Sequence, residues 1–302
     1  MKAVEAVPLL MMGGLFVLID FLALWATGPF VAGGAVAFSN PSDPWNLAYF
    51  FSALIAFTVL ILLVSKLWKK RPRSKKAVQF IILGLIALLD FVVFDTLLST
   101  VLSADSSLVL SLVASAIILV MLMKNPEWYV IDASGVISSA GAIALVGISL
   151  SVSIVLVLLI GMTIYDAISV YKTKHMIDLA STSLEQKLPV LFIIPKRRGY
   201  SFAKEARSLK DKLRTGEKRD AFFLGLGDVI MPGILVVSAF HNFASNALPM
   251  AVSVMLGTLL GLVMLTPFVL KGKPQAGLPF LCTGAIIGYI LGSFLIFGAL
   301  VI

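Results

Sequence analysis

Long apolar runs separated by short polar or basic joints repeat from one end of this chain to the other. They fall at about residues 7–25, 47–67, 77–98, 108–123, 129–146, 150–171, 221–243, 248–270 and 277–301. At about 1.5 Å of rise per residue, runs of this length cross roughly 30 Å of hydrocarbon as helices. Only the boundary between the fifth and sixth is ambiguous. From Ile131 to Ile164 there is no Lys, Arg or Pro, and one helix of that length would measure about 50 Å. That is too long for a single crossing, so a tight turn is expected near Gly147–Ser153.

Composition fits the same picture. The chain is 59% hydrophobic and 13% charged, with a mean hydropathy of +1.03. A water-soluble globule is excluded. The pattern predicts an all-α polytopic membrane protein with nine transmembrane helices in one domain, residues 1–302. Lys2 before the first run reads as a signal anchor, and no small-residue cleavage site clearly follows, so that run is kept as a span.

The basic residues decide the number of crossings. Of the 24 Lys and Arg residues, one is Lys2, seven lie from Lys66 to Lys76, one is Lys124, thirteen lie from Lys172 to Arg219, and two are Lys271 and Lys273. With nine spans every one of them falls on one side, which the positive-inside rule identifies as cytoplasmic. The N-terminus is then cytoplasmic and the C-terminus outside. Eight spans would send the most basic loop, 172–220, to the wrong side. The net charge of +8 therefore points to anionic lipid headgroups rather than nucleic acid.

The basic loop is the one sizeable segment expected outside the membrane. Lys196-Arg197-Arg198 and the run Lys204–Arg219 read as a solvated basic face. Within the loop, Pro189–Pro195 is a short β-prone run bounded by prolines, suited to the membrane surface or to a strand edge. Cys282, the single cysteine, lies in an apolar span and excludes an internal disulfide.

Two carboxylates inside these spans stand out, because an ionisable group in hydrocarbon costs at least a few kcal/mol and marks a functional site by default. Asp166 lies about 9 Å of helix before the sixth run leaves the membrane near Lys172, and Asp228 about 12 Å into the seventh run. The two runs have opposite directions, so both carboxylates sit at similar depth in the cytoplasmic half. Two close carboxylates cannot both ionise; sharing a proton, they supply the base that activates water and the acid that polarises an amide carbonyl. The chain has two histidines, His175 in the basic loop and His241 near the outer end of the seventh run. Neither makes a metal cluster or a Ser/His pair at aspartate depth.

The surroundings suit this chemistry. Gly225 and Gly227 leave room for another backbone before Asp228. Pro232 removes the helical hydrogen bond to the Asp228 carbonyl and should open the helix there. Backbone exposed at membrane depth is tolerated where it lines a water-filled cavity, which hydrolysis needs. A Gly-x-Gly-Asp run alone would equally fit a kinked packing helix with an interior aspartate.

Tyr165-Asp166 together with Gly225-Leu226-Gly227-Asp228 resembles the YD and GxGD motifs of the presenilin and signal peptide peptidase family of intramembrane aspartyl proteases, in particular its compact archaeal members. A third family motif, Pro-Ala-Leu followed by a further proline, opens the ninth span. Here Ala276-Gly277-Leu278-Pro279 matches at Leu278 and Pro279, lacks the leading proline and has Gly277 in place of alanine. The resemblance implies a nine-helix fold whose sixth and seventh helices carry the catalytic pair Asp166 and Asp228, cleaving transmembrane helices within the bilayer. It implies no cofactor or metal. Tyr165, Gly225, Leu226, Gly227, Gly277, Leu278 and Pro279 are then the motif and substrate-binding positions. Substrates are transmembrane or signal-peptide-like segments, membrane lipids are partners, and a homo-oligomer is compatible with the sequence. The large presenilin loop has no counterpart, so neither autoproteolysis nor obligatory accessory subunits is expected. The localisation read here is the cell membrane of a prokaryote.

The rival reading is a proton- or cation-coupled transporter, since Asp20, Asp90 and Asp95 also lie in or near the ends of spans. No inverted repeat of broken helices supports it. Gly284, Gly288 and Gly292 recur every four residues and read as a helix-packing ridge.

Overall fold

The computed structural model describes residues 3–67, 73–173, 188–196, 199–202, 221–243, 245–270 and 275–301. Lys2, His175, the run Lys204–Arg219, Lys271 and Lys273 lie outside them. Among the described residues there are nine α-helices: α1 (Ala3–Ala32), α2 (Trp45–Leu67), α3 (Arg73–Leu98), α4 (Ala104–Lys124), α5 (Trp128–Ser149), α6 (Val152–Ile168), α7 (Leu226–Asn242), α8 (Ala247–Leu270) and α9 (Leu278–Phe297). α6 runs on into a π-helical turn, Ser169–Thr173. Seven helices are long and apolar enough to cross a membrane; α2 and α7 contribute the shorter apolar stretches Trp45–Leu60 and Leu226–Asn242. Large apolar side chains such as Leu10, Phe21, Leu112, Leu260 and Leu295 are exposed on the outside of the bundle, where lipid is the natural solvent.

The chain between α5 and α6 turns at Leu150-Ser151. α7 then locks onto that turn: the Ser238 hydroxyl donates to the Leu150 carbonyl at 2.8 Å. α7 is the axis of the molecule. Val229 and Val237 on one side join a core with Phe16 and Ile19 of α1 and Ile143 of α5. Ile234 and Leu235 on the other side join a core with Leu158 of α6, Val254 of α8 and Cys282 of α9.

Two corrections to the sequence reading concern the region before α7. The class is helical but not purely so, and Ala221–Gly225 is not the first stretch of a seventh helix. It forms β2 (Ala221–Gly225), which pairs antiparallel with β1 (Leu191–Pro195), with Phe192 opposite Leu224 and Ile194 opposite Phe222. The pairing explains the choice of strand over helix: Phe192, Ile194, Phe222 and Leu224 share one face and enter the core beside α1 and α5. Ile193 and Ala221 turn to the other face and pack with Leu83, Leu122 and Ile131. Burial on both faces removes the alternation that would have announced a strand. Residues 191–195 of the β-prone run thus form a strand packed into the bundle, within what sequence alone assigns to the basic loop.

α8 and α9 approach almost backbone to backbone. A Cβ at Gly257 would lie 2.3 Å from the Gly284 carbonyl oxygen, and one at Gly288 would lie 2.4 Å from the Ser253 carbonyl oxygen. Only glycine permits this spacing. α9 ends at Gly298 in the left-handed conformation, its N–H returning to the Phe294 carbonyl at 3.0 Å.

Candidate active site

Three chain segments converge at one end of α6. Asp166 is in the last turn of α6 and is 4% exposed. Asp228 lies in the first turn of α7, directly after β2, with Gly225 as the N-cap. This places it at the positive end of the α7 dipole, where a carboxylate is favoured. Its position differs from the sequence expectation: the residues before it are strand rather than two turns of helix. The third segment is Ala276-Gly277-Leu278, leading into α9, with Pro279 in the first turn.

The backbone of this third segment touches both carboxylates. The Leu278 N–H donates to Asp166 Oδ2 at 3.1 Å. At Gly277 a Cβ would lie 2.9 Å from Asp228 Oδ1 and 3.0 Å from its Oδ2. Gly277 therefore sits close against the Asp228 carboxylate, and a methyl group there would require that carboxylate to shift. The two aspartates thus meet adjacent residues of one backbone segment. Gly225 closes the site from the strand side, its would-be Cβ 3.1 Å from Asp228 Oδ2.

The structure thus brings together Asp166, Asp228, Gly225, Gly277 and Leu278. Gly227 is different: nothing lies within 4 Å of a Cβ placed there, so close approach is not what requires glycine at that position. The Leu226 N–H donates to the Val190 carbonyl at 3.2 Å, extending the β1–β2 pairing up to the start of α7. Tyr165 is 39% exposed. Ala276, left aside by the sequence reading, is fully buried. Gln275 Nε2 donates to the Tyr171 hydroxyl, tying the segment before α9 to the π-helical turn after α6.

The remaining intramembrane carboxylates have other surroundings. Asp90 is 0% exposed and accepts from Ser138 Oγ at 2.6 Å and Ser134 Oγ at 3.5 Å, joining α3 to α5. Asp95 accepts from Ser107 Oγ at 2.8 Å, joining α3 to α4. Asp20 is 3% exposed, and its Oδ1 has no hydrogen-bond partner among the described residues. It lies against α7, 2.9 Å from a would-be Cβ of Gly233. His241 is exposed at the end of α7. One carboxylate escaped the sequence reading: Asp132, near the start of α5, accepts the Ile193 N–H of β1 at 2.8 Å. Its signal was available as a lone acidic residue in an apolar run.

The family model described as signal-peptide peptidase, presenilin aspartyl protease matches residues 13–299. Two solved structures of a presenilin family intramembrane aspartate protease, in space groups C222 and P2, share the fold. The first has 31% identity and a TM-score of 0.67, covering 96% of this chain and 99% of the other. The second has 34% identity and a TM-score of 0.67, covering 95% of this chain and 98% of the other. No curated protein matches. The chain belongs to the presenilin and signal-peptide peptidase family of intramembrane aspartyl proteases.

Proposed function

We propose that Asp166 and Asp228 are the catalytic pair of this protease. The observation that carries the assignment is their convergence, from α6 and α7, on the Gly277-Leu278 backbone. Two carboxylates in mutual reach hold one proton between them. One takes a proton from the attacking water while the other donates to the carbonyl oxygen of the scissile amide; the roles then reverse as the amine leaves. The Leu278 N–H fixes the orientation of Asp166. The glycine at 277 lets Asp228 stand beside the same peptide.

All nine helices cross the bilayer in this reading, α1 entering from the cytoplasm and α9 ending outside, in a prokaryotic cell membrane. The distribution of the 24 Lys and Arg residues along the sequence, all on one side if there are nine crossings, supports it. Substrates are transmembrane or signal-peptide-like helices. They unwind locally, because a scissile amide inside a helix is shielded and its freed N–H and C=O groups cost several kcal/mol each in lipid. The receiving groups are the outer edge of β2 and the segment before α9, engaged by strand addition.

Purified protein in detergent, incubated with a transmembrane peptide, yields fragments resolved by mass spectrometry. Asp166→Ala and Asp228→Ala should each abolish them while the protein stays folded. Substantial cleavage by either variant removes that residue from the site.

A further inference from the structure

A two-stranded sheet has two edges, and each can accept an added strand unless something blocks it. In an antiparallel pair, residues alternate between exchanging both backbone bonds with the partner strand and directing them outwards. Three observations fix the alternation here. The Leu226 N–H bonds to the Val190 carbonyl. The Ile193 N–H leaves the sheet towards Asp132. Pro195, two residues on, has no N–H to offer. Residues 191, 193 and 195 of β1 therefore face outwards, as do their partners Gly225, Phe223 and Ala221 of β2.

The outer edge of β1 is closed. Its N–H groups are those of Leu191 and Ile193, and Asp132 takes that of Ile193, in the middle of the strand, at 2.8 Å. α5 presses closely on the same strand: a Cβ at Gly135, three residues after Asp132, would lie 2.8 Å from the Phe192 ring. The outer edge of β2, by contrast, ends at Gly225, beside Asp228.

We propose that Asp132 is a positioning residue: by binding the Ile193 N–H it closes the β1 edge and fixes the β1–β2 pair on α5, so that only β2 receives the unwound substrate and the register of β2 selects the bond that reaches Asp166 and Asp228. This rests on the strand-addition reading given above. Asp132 bonds to the backbone of β1. It acts through two strands, and its effect appears in which bond is cut and how well substrate is held.

The test uses the full chain in detergent with a transmembrane peptide. Asp132→Ala should raise KM about tenfold, the weight of one buried charge-assisted hydrogen bond, with a smaller change in kcat. Cleavage positions should spread to bonds two residues away, because a slip of two keeps the same strand face inward. Asp132→Asn retains an acceptor oxygen and should restore the wild-type positions. Asp132→Glu moves the acceptor along by one methylene and should shift them without loss of folding, which keeps the test available if the alanine variant is unstable. Amide exchange at Ile193 should quicken in the alanine variant and not in the asparagine one. Wild-type cleavage positions and KM in both Asp132→Ala and Asp132→Glu overturn the proposal, as does an asparagine variant behaving like alanine. A peptide with an ester replacing the amide beside the scissile bond separates the two readings. If the ester does not slow wild-type cleavage, strand addition itself fails. If it does, and the Asp132 variants still cut like wild type, only the role of Asp132 falls.

Discussion

The α8–α9 contact is where a single methyl group should be felt most. In Gly257→Ala the new Cβ would lie 2.3 Å from the Gly284 carbonyl oxygen, 2.7 Å from Gly288 Cα and 2.9 Å from Gly288 N. All three are backbone atoms, so no side chain can rotate away. Ordinary contact begins at 3.4 Å, so the helices must part by about 1 Å. Overpacking of this kind costs about 1–3 kcal/mol, and each kcal/mol lowers Tm by about 2–4 °C in a protein of a few hundred residues. The displacement also reaches the site. Leu278, whose N–H holds Asp166, lies only about 9 Å of helix before Gly284. A misplacement of 1 Å can cost as much as 100-fold in rate; with part of it absorbed along the helix, kcat/KM should fall about tenfold, or about 1.4 kcal/mol. Gly84→Ala is the control: nothing lies within 4 Å of its Cβ, and alanine is the better helix former by about 1 kcal/mol. Thermal unfolding in one detergent, with peptide cleavage measured well below both midpoints, provides the readout. An unchanged Tm and kcat/KM for Gly257→Ala refutes the packing argument. A lowered Tm with unchanged kcat/KM means the contact holds the fold without setting the site.

Other outcomes follow from the site and its neighbours. Activity should rise and then fall with pH as a coupled carboxylate pair requires, and a profile flat from acid to alkaline pH contradicts a shared proton. Asp90→Asn keeps an acceptor for Ser138 and should retain activity within a few-fold; complete loss in a folded variant enlarges the catalytic set. Placing Gly near the cytoplasmic-side scissile bond of a test substrate should speed cleavage and Leu should slow it, by about 1 kcal/mol of helix propensity per residue. Rates that track one side chain and ignore helix stability would require a side-chain-reading pocket instead.

The aspartate pair was legible because its signals are local: two carboxylates in apolar runs, each within a short motif. The helical character of the bundle was legible for a similar reason, since hydrocarbon leaves long apolar segments few alternatives to a helix. The strand pair was legible only in half: the β-prone run 189–195 holds β1, whereas β2 was read as helix. Phe222-Phe223-Leu224 reads as the opening of an apolar span, and its strand character depends on Phe192 and Ile194 far back in the chain. Gly277 was legible only as a departure from a motif. Its meaning, the Asp228 carboxylate lying where a Cβ would point, comes from the start of α7 meeting the segment before α9. Asp132 was visible as a lone acidic residue in an apolar run, but its partner, a backbone N–H in the basic loop, carries no residue-type signal.

The site also has an order in time. Its parts come from the end of α6, the β2–α7 junction and the segment entering α9, and β1 is made well before the strand that pairs with it. During synthesis, α5 precedes β1, so Asp132 is already present when Ile193 emerges. Asp166 then waits for Asp228, and both wait for Leu278, which belongs to the last helix. A ribosome-bound chain lacking α9 holds both carboxylates yet not the backbone that orients them. Proteolysis inside the membrane is thereby deferred until α9 has been made.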